Sequence, residues 1–587
     1  MCGIAGIMMR DGSTPDTAIL DPLARALGHR GPDGEGKYLA GAVAMLQTRL
    51  AVIDLKTGDQ PIYEPGGAAL VANAEIYNYI ELRAGLDNAA FSTGSDCEPP
   101  LHLYRRDGVD FANALRGMYA IAIHDPGEGR LVLARDPFGI KPLYYIESPE
   151  FFAFASEPQA LLAVGLARPE VAPERRGELM QLQFTCGRDT IFRDIKRVLP
   201  GETLIVRGGR IVERRRRAAL PPGGPQPASV EEALAILDEA LEESVMMHQR
   251  SDVPYGLFLS GGVDSSVLLA QMTRLNERPV VAMTAGFSGT GVADERAHAR
   301  MLAGTVGAEY HEVDFSSGDF WSMLPEIAAA MDDPAADYAI LPTWKLAREA
   351  AKDLKVVLSG EGGDEMFAGY GRYRSALRPW WQGGRTIRAR GIFDGLGILR
   401  DGNAGWRDSV AAAETTAGHS DRSRLQVMQA VDMTDWLPND LLTKLDRCLM
   451  AHGLEGRTPF LDVKVAEAVF RLPDSLKIHR RRGKWILRRW LDRVLPKARA
   501  FDRKRGFTVP VGDWMAERGA QLGPLVAASP GVAEFCHTGH IAALFESHGK
   551  HPRMAAWVLL FYALWHRRHI EGKMPQGDVF ETLAARG

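Results

Sequence analysis

The segment Pro221-Pro222-Gly223-Gly224-Pro225-Gln226-Pro227 constrains this chain more than any other feature. Proline fixes φ and lacks an amide donor, and glycine adds backbone freedom, so neither a helix nor a strand runs through it. It reads as a linker between two different patterns. Before it, up to about Ile205, short apolar runs recur between Gly, Pro and Asp: Ala42 to Leu46, Leu50 to Ile53, Ala69 to Val71, Ala120 to Ile123 and Leu131 to Ala134. These predict strands. After it, Ser229 and Glu232 form an S-x-x-E capping box, and Val230, Leu234, Leu237, Leu241 and Val245 recur at helical spacing. Apolar strands at Tyr255 to Leu259, Val280 to Phe287 and Lys355 to Leu358 then alternate with helical stretches. That alternation predicts a parallel sheet with helices on both faces. Past about Ser375 the pattern is mainly helical. A chain of 587 residues exceeds one core. We divide it into residues 1–215, a linker at 216–229 and a second domain at 230–587.

The formal net charge of −4 gives no global basic field for nucleic acid, and Arg214 to Arg217 reads as a solvated loop or edge. The five cysteines, Cys2, Cys97, Cys186, Cys448 and Cys536, share no C-x-x-C spacing, which suits reduced thiols in a cytoplasm. A charge at Arg10 interrupts any signal-peptide pattern. The longest apolar run, Met554 to Trp565, is shorter than the about 20 residues a membrane helix needs, and reads as a buried C-terminal helix. No nucleic-acid or membrane partner is expected.

Cys2 follows the initiator methionine. With Met1 removed, one residue supplies both a thiol nucleophile and an α-amine base. The opening Met1 to Ile7 resembles that of class II, N-terminal-nucleophile glutamine amidotransferases. Their further motifs follow in order: His29-Arg30-Gly31-Pro32-Asp33, Arg49 to Asp54, Asn73-Ala74-Glu75-Ile76-Tyr77-Asn78 and Gly94-Ser95-Asp96-Cys97-Glu98. The resemblance implies an α+β Ntn sandwich of two antiparallel sheets with flanking helices. It implies that Arg49, Asn73, Glu75 and Asp96 bind glutamine, Arg49 through the α-carboxylate and Asp96 through the α-amine. It places the oxyanion hole at Asn73 and the N–H of Ala74. The family usually has Gly at this last position. If φ must be positive there, alanine costs about 1 kcal/mol or more, and a slower or differently gated glutaminase is expected.

In the second domain the strand ending at Leu259 runs into Ser260-Gly261-Gly262-Val263-Asp264-Ser265-Ser266 and then a helix. Paired glycines and a helix N-terminus suit a phosphate group. A Walker A motif is missing. The segment resembles the loop of PP-loop ATP pyrophosphatases, which implies an α/β domain with a helical C-terminal part that cleaves ATP between its α and β phosphates. Ser359-Gly360-Glu361-Gly362-Gly363-Asp364-Glu365 resembles a segment of asparagine synthetases. By this likeness Leu259, Ser260, Gly261, Gly262, Asp264, Ser265, Ser266, Ala285, Ser359 and Gly360 hold ATP. Asp264 and Asp364 hold Mg2+, and Glu361 takes a proton from attacking ammonia. Leu445-Asp446-Arg447 and Glu455 to Asp462 match two further stretches of that family. Lys504 resembles its catalytic lysine, with Lys484 a weaker candidate.

Both halves in this order resemble the glutamine-hydrolysing asparagine synthetases. The resemblance implies glutamine, aspartate and ATP as substrates, Mg2+ as cofactor, and a shielded passage for ammonia between the domains. A homodimer is one assembly open to such a chain. The motifs do not fix the acceptor. A related enzyme acting on a peptide, a polymer sugar acid or a β-lactam precursor would carry the same signature, and a glutamine or ATP sensor would be expected to lose one of Cys2, Asp264, Glu361 or Asp364.

Overall fold

Two six-stranded antiparallel sheets build the N-terminal half of the computed structural model, which describes residues 2–585 apart from 88, 289–294, 383, 385, 401–404, 419–420 and 503–508. The first sheet runs in the order Lys196–Arg197, Tyr144–Glu147, Phe151–Ala155, Gly3–Met9, Val43–Arg49, Gly34–Ala40. The second runs Arg210–Arg216, Glu202–Arg207, Arg130–Arg135, Gly117–Asp125, Ala69–Ile76, Ile62–Tyr63. Strand residues alternate between faces. Ile4 and Met8 therefore join Val71, Ala120 and Leu133 in the core between the sheets. Ala5 and Ile7 face the other way, into a cluster with Leu20, Leu23 and Leu27 of the helix Leu20–Leu27. The outer face of the second sheet buries Leu101 and Leu103 of the helix Pro99–Asp107. This is the two-sheet sandwich with flanking helices expected from the resemblance.

One predicted strand is absent. Leu50 to Ile53 leaves the first sheet as irregular chain. Its backbone groups bond outside any ladder: Ala51 N–H donates to Asp33 Oδ2 at 2.9 Å, and Val52 O accepts the Asp252 N–H at 3.0 Å. The four arginines from 214 on lie along the edge of the second sheet and are absorbed within the chain. Arg214 reaches Glu202, Arg215 reaches Asp110, and Arg216 and Arg217 donate to backbone carbonyls.

The capping box forms as expected at the start of the helix Val230–His248. Beyond it lies an all-parallel sheet in the order Glu309–Asp314, Val281–Gly286, Tyr255–Phe258, Val356–Leu358, Glu455–Arg457. The chain steps outward from Tyr255–Phe258 on one side and returns to its other side with Val356–Leu358. Such a reversal of strand order opens a crevice at the carboxyl ends of the two strands. The C-terminal region is helical. Ala555 to Trp565 is buried in the helix Lys550–His569, with Met554 partly buried, and Trp557 Nε1 donates to Ala336 O at 2.6 Å. No helix among the described residues is long and apolar enough to cross a membrane.

The sandwich and the parallel sheet meet through buried ion pairs. Arg30 is fully buried and donates to Glu157 at 2.6 Å and to both oxygens of Asp446, at 2.7 and 3.0 Å. Arg116 pairs with Asp462 at 2.8 Å and Arg197 with Asp333 at 2.8 Å, while within the second domain Arg447 pairs with Asp332 at 2.7 Å. Removing one partner of a buried pair strands the other charge, at a cost of about 3–5 kcal/mol. Asp446→Ala is expected to lower apparent stability by that order, read from urea unfolding of the full chain. Burial works against the Asp446 carboxylate, but Arg30 and Arg447 outweigh it and hold the group below its ordinary range. A depressed carboxyl contributes stability above the unfolded value of about 3.9, and that contribution disappears as pH falls through the folded value. The wild-type unfolding midpoint therefore carries the Asp446 contribution from pH 7 down to about pH 4 and loses it below, whereas the variant lacks that component of acid sensitivity.

Candidate active site

Cys2 immediately precedes the strand Gly3–Met9 of the first sheet and is buried. Gln47, on the neighbouring strand, donates from Nε2 to Cys2 Sγ at 2.9 Å. Burial pushes the thiol up, while a hydrogen bond from the backbone of Leu50 and the charge of Arg49 pull it down. The irregular course of residues 50–53 thus has a use: a Leu50 amide outside the ladder faces the sulfur. Cys2 O is held by Arg30 Nε at 3.1 Å, and Cys2 N donates to Asn73 Oδ1 at 3.1 Å.

Asn73 crosses to the nucleophile from the second sheet. Its side chain is completely buried, and Nδ2 has no hydrogen-bond partner. A buried amide nitrogen left unbonded is costly, unless it is kept for a ligand oxygen. On the same strand Ala72 N–H donates to Gln60 Oε1 at 2.6 Å and Ile76 N–H to Asp96 Oδ2 at 2.7 Å. Alternate amides of a strand face one way, so the Ala74 N–H lies between these two on the open edge. Asn73 and Ala74 together form a two-donor cradle beside the sulfur. Ala74 has extended backbone and is absent from the residues of positive φ. Its methyl group joins the Leu101 and Tyr119 cluster. The strain that a positive φ would have imposed does not arise.

Arg49 is anchored by Asp59 at 2.7 Å and by the carbonyl of Asp54 at 2.5 Å. Burial pushes the Asp96 carboxyl up to about 6. The Glu75 carboxylate is drawn instead to Arg457, at 2.8 Å, and Arg457 also holds Glu455 at 2.6 Å. The structure therefore gathers Cys2, Asn73 and Ala74 closely and turns the Glu75 side chain toward the second domain. Gln47 escaped the sequence reading because a single glutamine within an apolar strand carries no spacing signal.

The second centre lies at the crevice of the parallel sheet. The strand Tyr255–Phe258 leads through Gly261, at φ +74°, into the helix Val263–Leu275, whose N-cap Gly262 offers no capping side chain. The first-turn amides are thus left for an anion. Ser260 Oγ and Ser265 Oγ lie 3.1 Å apart, and Ser266 Oγ is buried without a partner. On the adjacent strand's end, a Cβ at Gly360 would meet Asp264 Cβ at 2.9 Å, so glycine lets the two loops close together. Lys484 Nζ sits between them. It pairs with Asp264 and lies 2.7 Å from Asp364.

A cavity of about 740 Å³ opens here, lined by Leu259, Ser260, Gly261, Gly262, Asp264, Ser265, Ser266, Ala285, Ser359, Gly360, Glu361 and Asp364. The structure brings all the nucleotide candidates to one space. Lys504 lies outside the described residues. Lys484, the weaker candidate, is the lysine seen at this site. Lys444 adds a second ammonium, 3.4 Å from Glu361.

The asparagine synthase family profile matches residues 236–567, and that of the glutamine amidotransferase domain matches residues 1–216. This chain belongs to the asparagine synthase family. It is 31% identical to asparagine synthetase [glutamine-hydrolyzing] 1 of Bacillus subtilis over 98% of both chains. It is 28% identical to asparagine synthetase [glutamine-hydrolyzing] 3 of the same organism, over 88% of this chain and 89% of that one. It is 28% identical to asparagine synthetase B [glutamine-hydrolyzing] of Escherichia coli, over 87% of this chain and 83% of that one.

Two measurements follow from the geometry of this family member. Asn73→Ala is expected to lower kcat for glutamine hydrolysis by about 10²–10³-fold, the effect of losing one oxyanion donor. Ala74→Gly is expected to leave that rate within about threefold, because the extended backbone gives glycine nothing to relieve. A large gain from Ala74→Gly would refute the placement of residue 74 in an unstrained strand.

Proposed function

We propose that the chain is a glutamine-dependent asparagine synthetase with two coupled centres. The observation that carries this reading is the pairing of an unbonded, buried Asn73 Nδ2 beside Cys2 with a phosphate-binding crevice in which Lys484 bridges Asp264 and Asp364. At the first centre Cys2 Sγ attacks the glutamine side-chain amide. Asn73 and the Ala74 N–H stabilise the oxyanion, ammonia leaves, and water releases glutamate from the thioester. Arg49 and Asp96 hold the amino-acid end.

At the second centre ATP lies along the loop from Ser260 to Ser266, with Ala285 beside the base and Ser359 and Gly360 against the nucleotide. The side-chain carboxylate of aspartate attacks the α-phosphorus, and pyrophosphate leaves. Ammonia then attacks the acyl adenylate, AMP departs, and Glu361 accepts the proton lost by nitrogen. Asp264 and Asp364 already share one cation, the Lys484 ammonium. Two carboxylates beside a polyphosphate fit Mg2+, so Asp264 and Asp364 would hold the ion. When bound, the ion neutralises the departing pyrophosphate. Lys484 screens the same charge from the protein side. The buried pairs Arg30–Asp446 and Glu75–Arg457 close the domain boundary to bulk water, which suits transfer of ammonia between centres.

The test is formation of AMP, pyrophosphate and asparagine from ATP and Mg2+, with glutamine or ammonium as donor. All three are expected only when aspartate is present. Cys2→Ala should retain the ammonium-dependent reaction and lose the glutamine-dependent one. Lys484→Met should lose at least tenfold in AMP formation and keep glutamine hydrolysis. Glutamine hydrolysis without aspartate-dependent AMP would move the acceptor to another carboxylate.

A further inference from the structure

The crevice is larger than its nucleotide loops. Away from Ser260 to Ser266, the same cavity is lined by Asp337, Arg372, Arg388, Trp436, Asp440 and Lys444. The nucleotide reading uses none of these. Their charges are separated in space. Arg372 and Arg388 both lie against the indole of Trp436, at 3.8 and 4.8 Å from its centre. Both face the Asp432 carboxylate, which accepts from Arg372 at 2.8 Å and lies 3.7 Å from Arg388. Asp435 and Asp440 act on Arg388 from further off. Across the indole, Trp436 Nε1 donates to Asp440 Oδ2 at 2.6 Å. There the sign reverses. Asp440, Asp337 and Glu361 surround one ammonium, Lys444, which lies 3.4 Å from Asp337 and from Glu361.

Both ends carry unspent hydrogen-bonding capacity. Arg388 Nη2 and Asp440 Oδ1 are buried and make no hydrogen bond. Asp440 is 3% exposed. Burial and the neighbouring Asp337 push its carboxyl up to about 7, as expected of an acid that lacks a full cationic partner. Arg388 holds a left-handed backbone, φ +50°, and such strain in a non-glycine residue gathers at binding sites.

We propose that the Arg388–Trp436–Asp440 wall is the subsite for the α-amino-acid zwitterion of the acceptor, with the α-carboxylate on Arg388 and the α-ammonium on Asp440. The amino acid then lies along the wall with its side-chain carboxylate directed to the nucleotide loops. The indole fixes the spacing of the two charges, so it selects a free amino acid over a peptide or sugar acid, which lack adjacent opposite charges of this kind. This assignment rests on the acceptor reading above.

The test measures AMP formation with aspartate, with succinate, which lacks the α-amine, and with β-alanine, which lacks the α-carboxylate. Ammonium is the nitrogen donor, and wild type is compared with Asp440→Asn and Arg388→Gln. Wild type should use aspartate at least a hundredfold better than either analogue. Asp440→Asn should raise KM for aspartate at least tenfold and shrink the discrimination against succinate but not against β-alanine. Arg388→Gln should do the reverse. KM for ATP and the rate of glutamine hydrolysis in both variants report an intact fold. If wild type forms no AMP with aspartate, the acceptor reading fails and the subsite with it. If wild type is active and both variants keep the aspartate KM and both discriminations, the subsite alone is overturned. A uniform loss against all three acceptors, with KM for ATP unchanged, also overturns it, because that outcome shows no recognition of the separate charges.

Discussion

The buried guanidinium of Arg30 holds the arrangement together. One fork of donors reaches Cys2 O, Glu157 and both oxygens of Asp446. A guanidinium is planar and stays charged, so a site that buries it must provide acceptors in its plane. Burial favours the neutral form, yet Asp446 and Glu157 hold Arg30 charged above its usual range. Asp446 belongs to the second domain. The backbone of Cys2 is therefore positioned by a residue whose own partner lies across the domain boundary. Arg447 extends the same network to Asp332, whose carbonyl accepts Trp565 Nε1 at 3.2 Å. The C-terminal helix thus braces the boundary as well as the core.

The two centres use opposite electrostatic designs. Beside Cys2 stand neutral groups, Gln47 Nε2 and the Leu50 amide at the sulfur and the Asn73 side chain at the backbone nitrogen. Around Lys484 the charges face the cavity directly. In the proposed reaction acyl transfer would create one oxyanion, a charge that two aligned amides can stabilise without reorganisation. Cleavage of ATP moves several negative charges at once, and only formal cations answer that. The fold supplies each by its nature: a buried strand edge outside the ladder gives amides in series, and a topological switch point brings two loop ends together.

Much of this was legible in the sequence because the chemistry is local there. The strand, Gly261 and helix around Ser260 to Ser266, the capping box at Ser229 and the motif around Asn73 are contiguous, and contiguous segments carry their geometry with them. What was not legible depends on tertiary contact. Gln47 touches Cys2 from a neighbouring strand. Arg388 and Asp440 meet the cavity from segments more than fifty residues apart, with no shared motif. Leu50 to Ile53 reads as a strand because it is apolar, but its backbone finds acceptors and donors in Asp33 and Asp252 and leaves the ladder. Ala74 in place of glycine suggested strain only while the backbone was unknown. Lys504 and Lys484 were separated on motif likeness alone, and burial between two carboxylates is what brings Lys484 forward.

Arg457 shows how far the two designs are joined. Its guanidinium binds Glu75, two residues along the strand from Asn73, and Glu455 on its own strand. Its carbonyl accepts the N–H of Ser359 at 2.8 Å, at the start of the loop that carries Gly360 and Glu361. One residue thus registers the strand that carries Asn73 against the loop that carries Gly360. The pair is completely buried on the arginine side, where a shift of either strand would leave a charge unpaired at a cost of several kcal/mol. The burial of Glu75 has a structural reason: its pair with Arg457 ties the strand that carries Asn73 to the loop that carries Gly360 and Glu361.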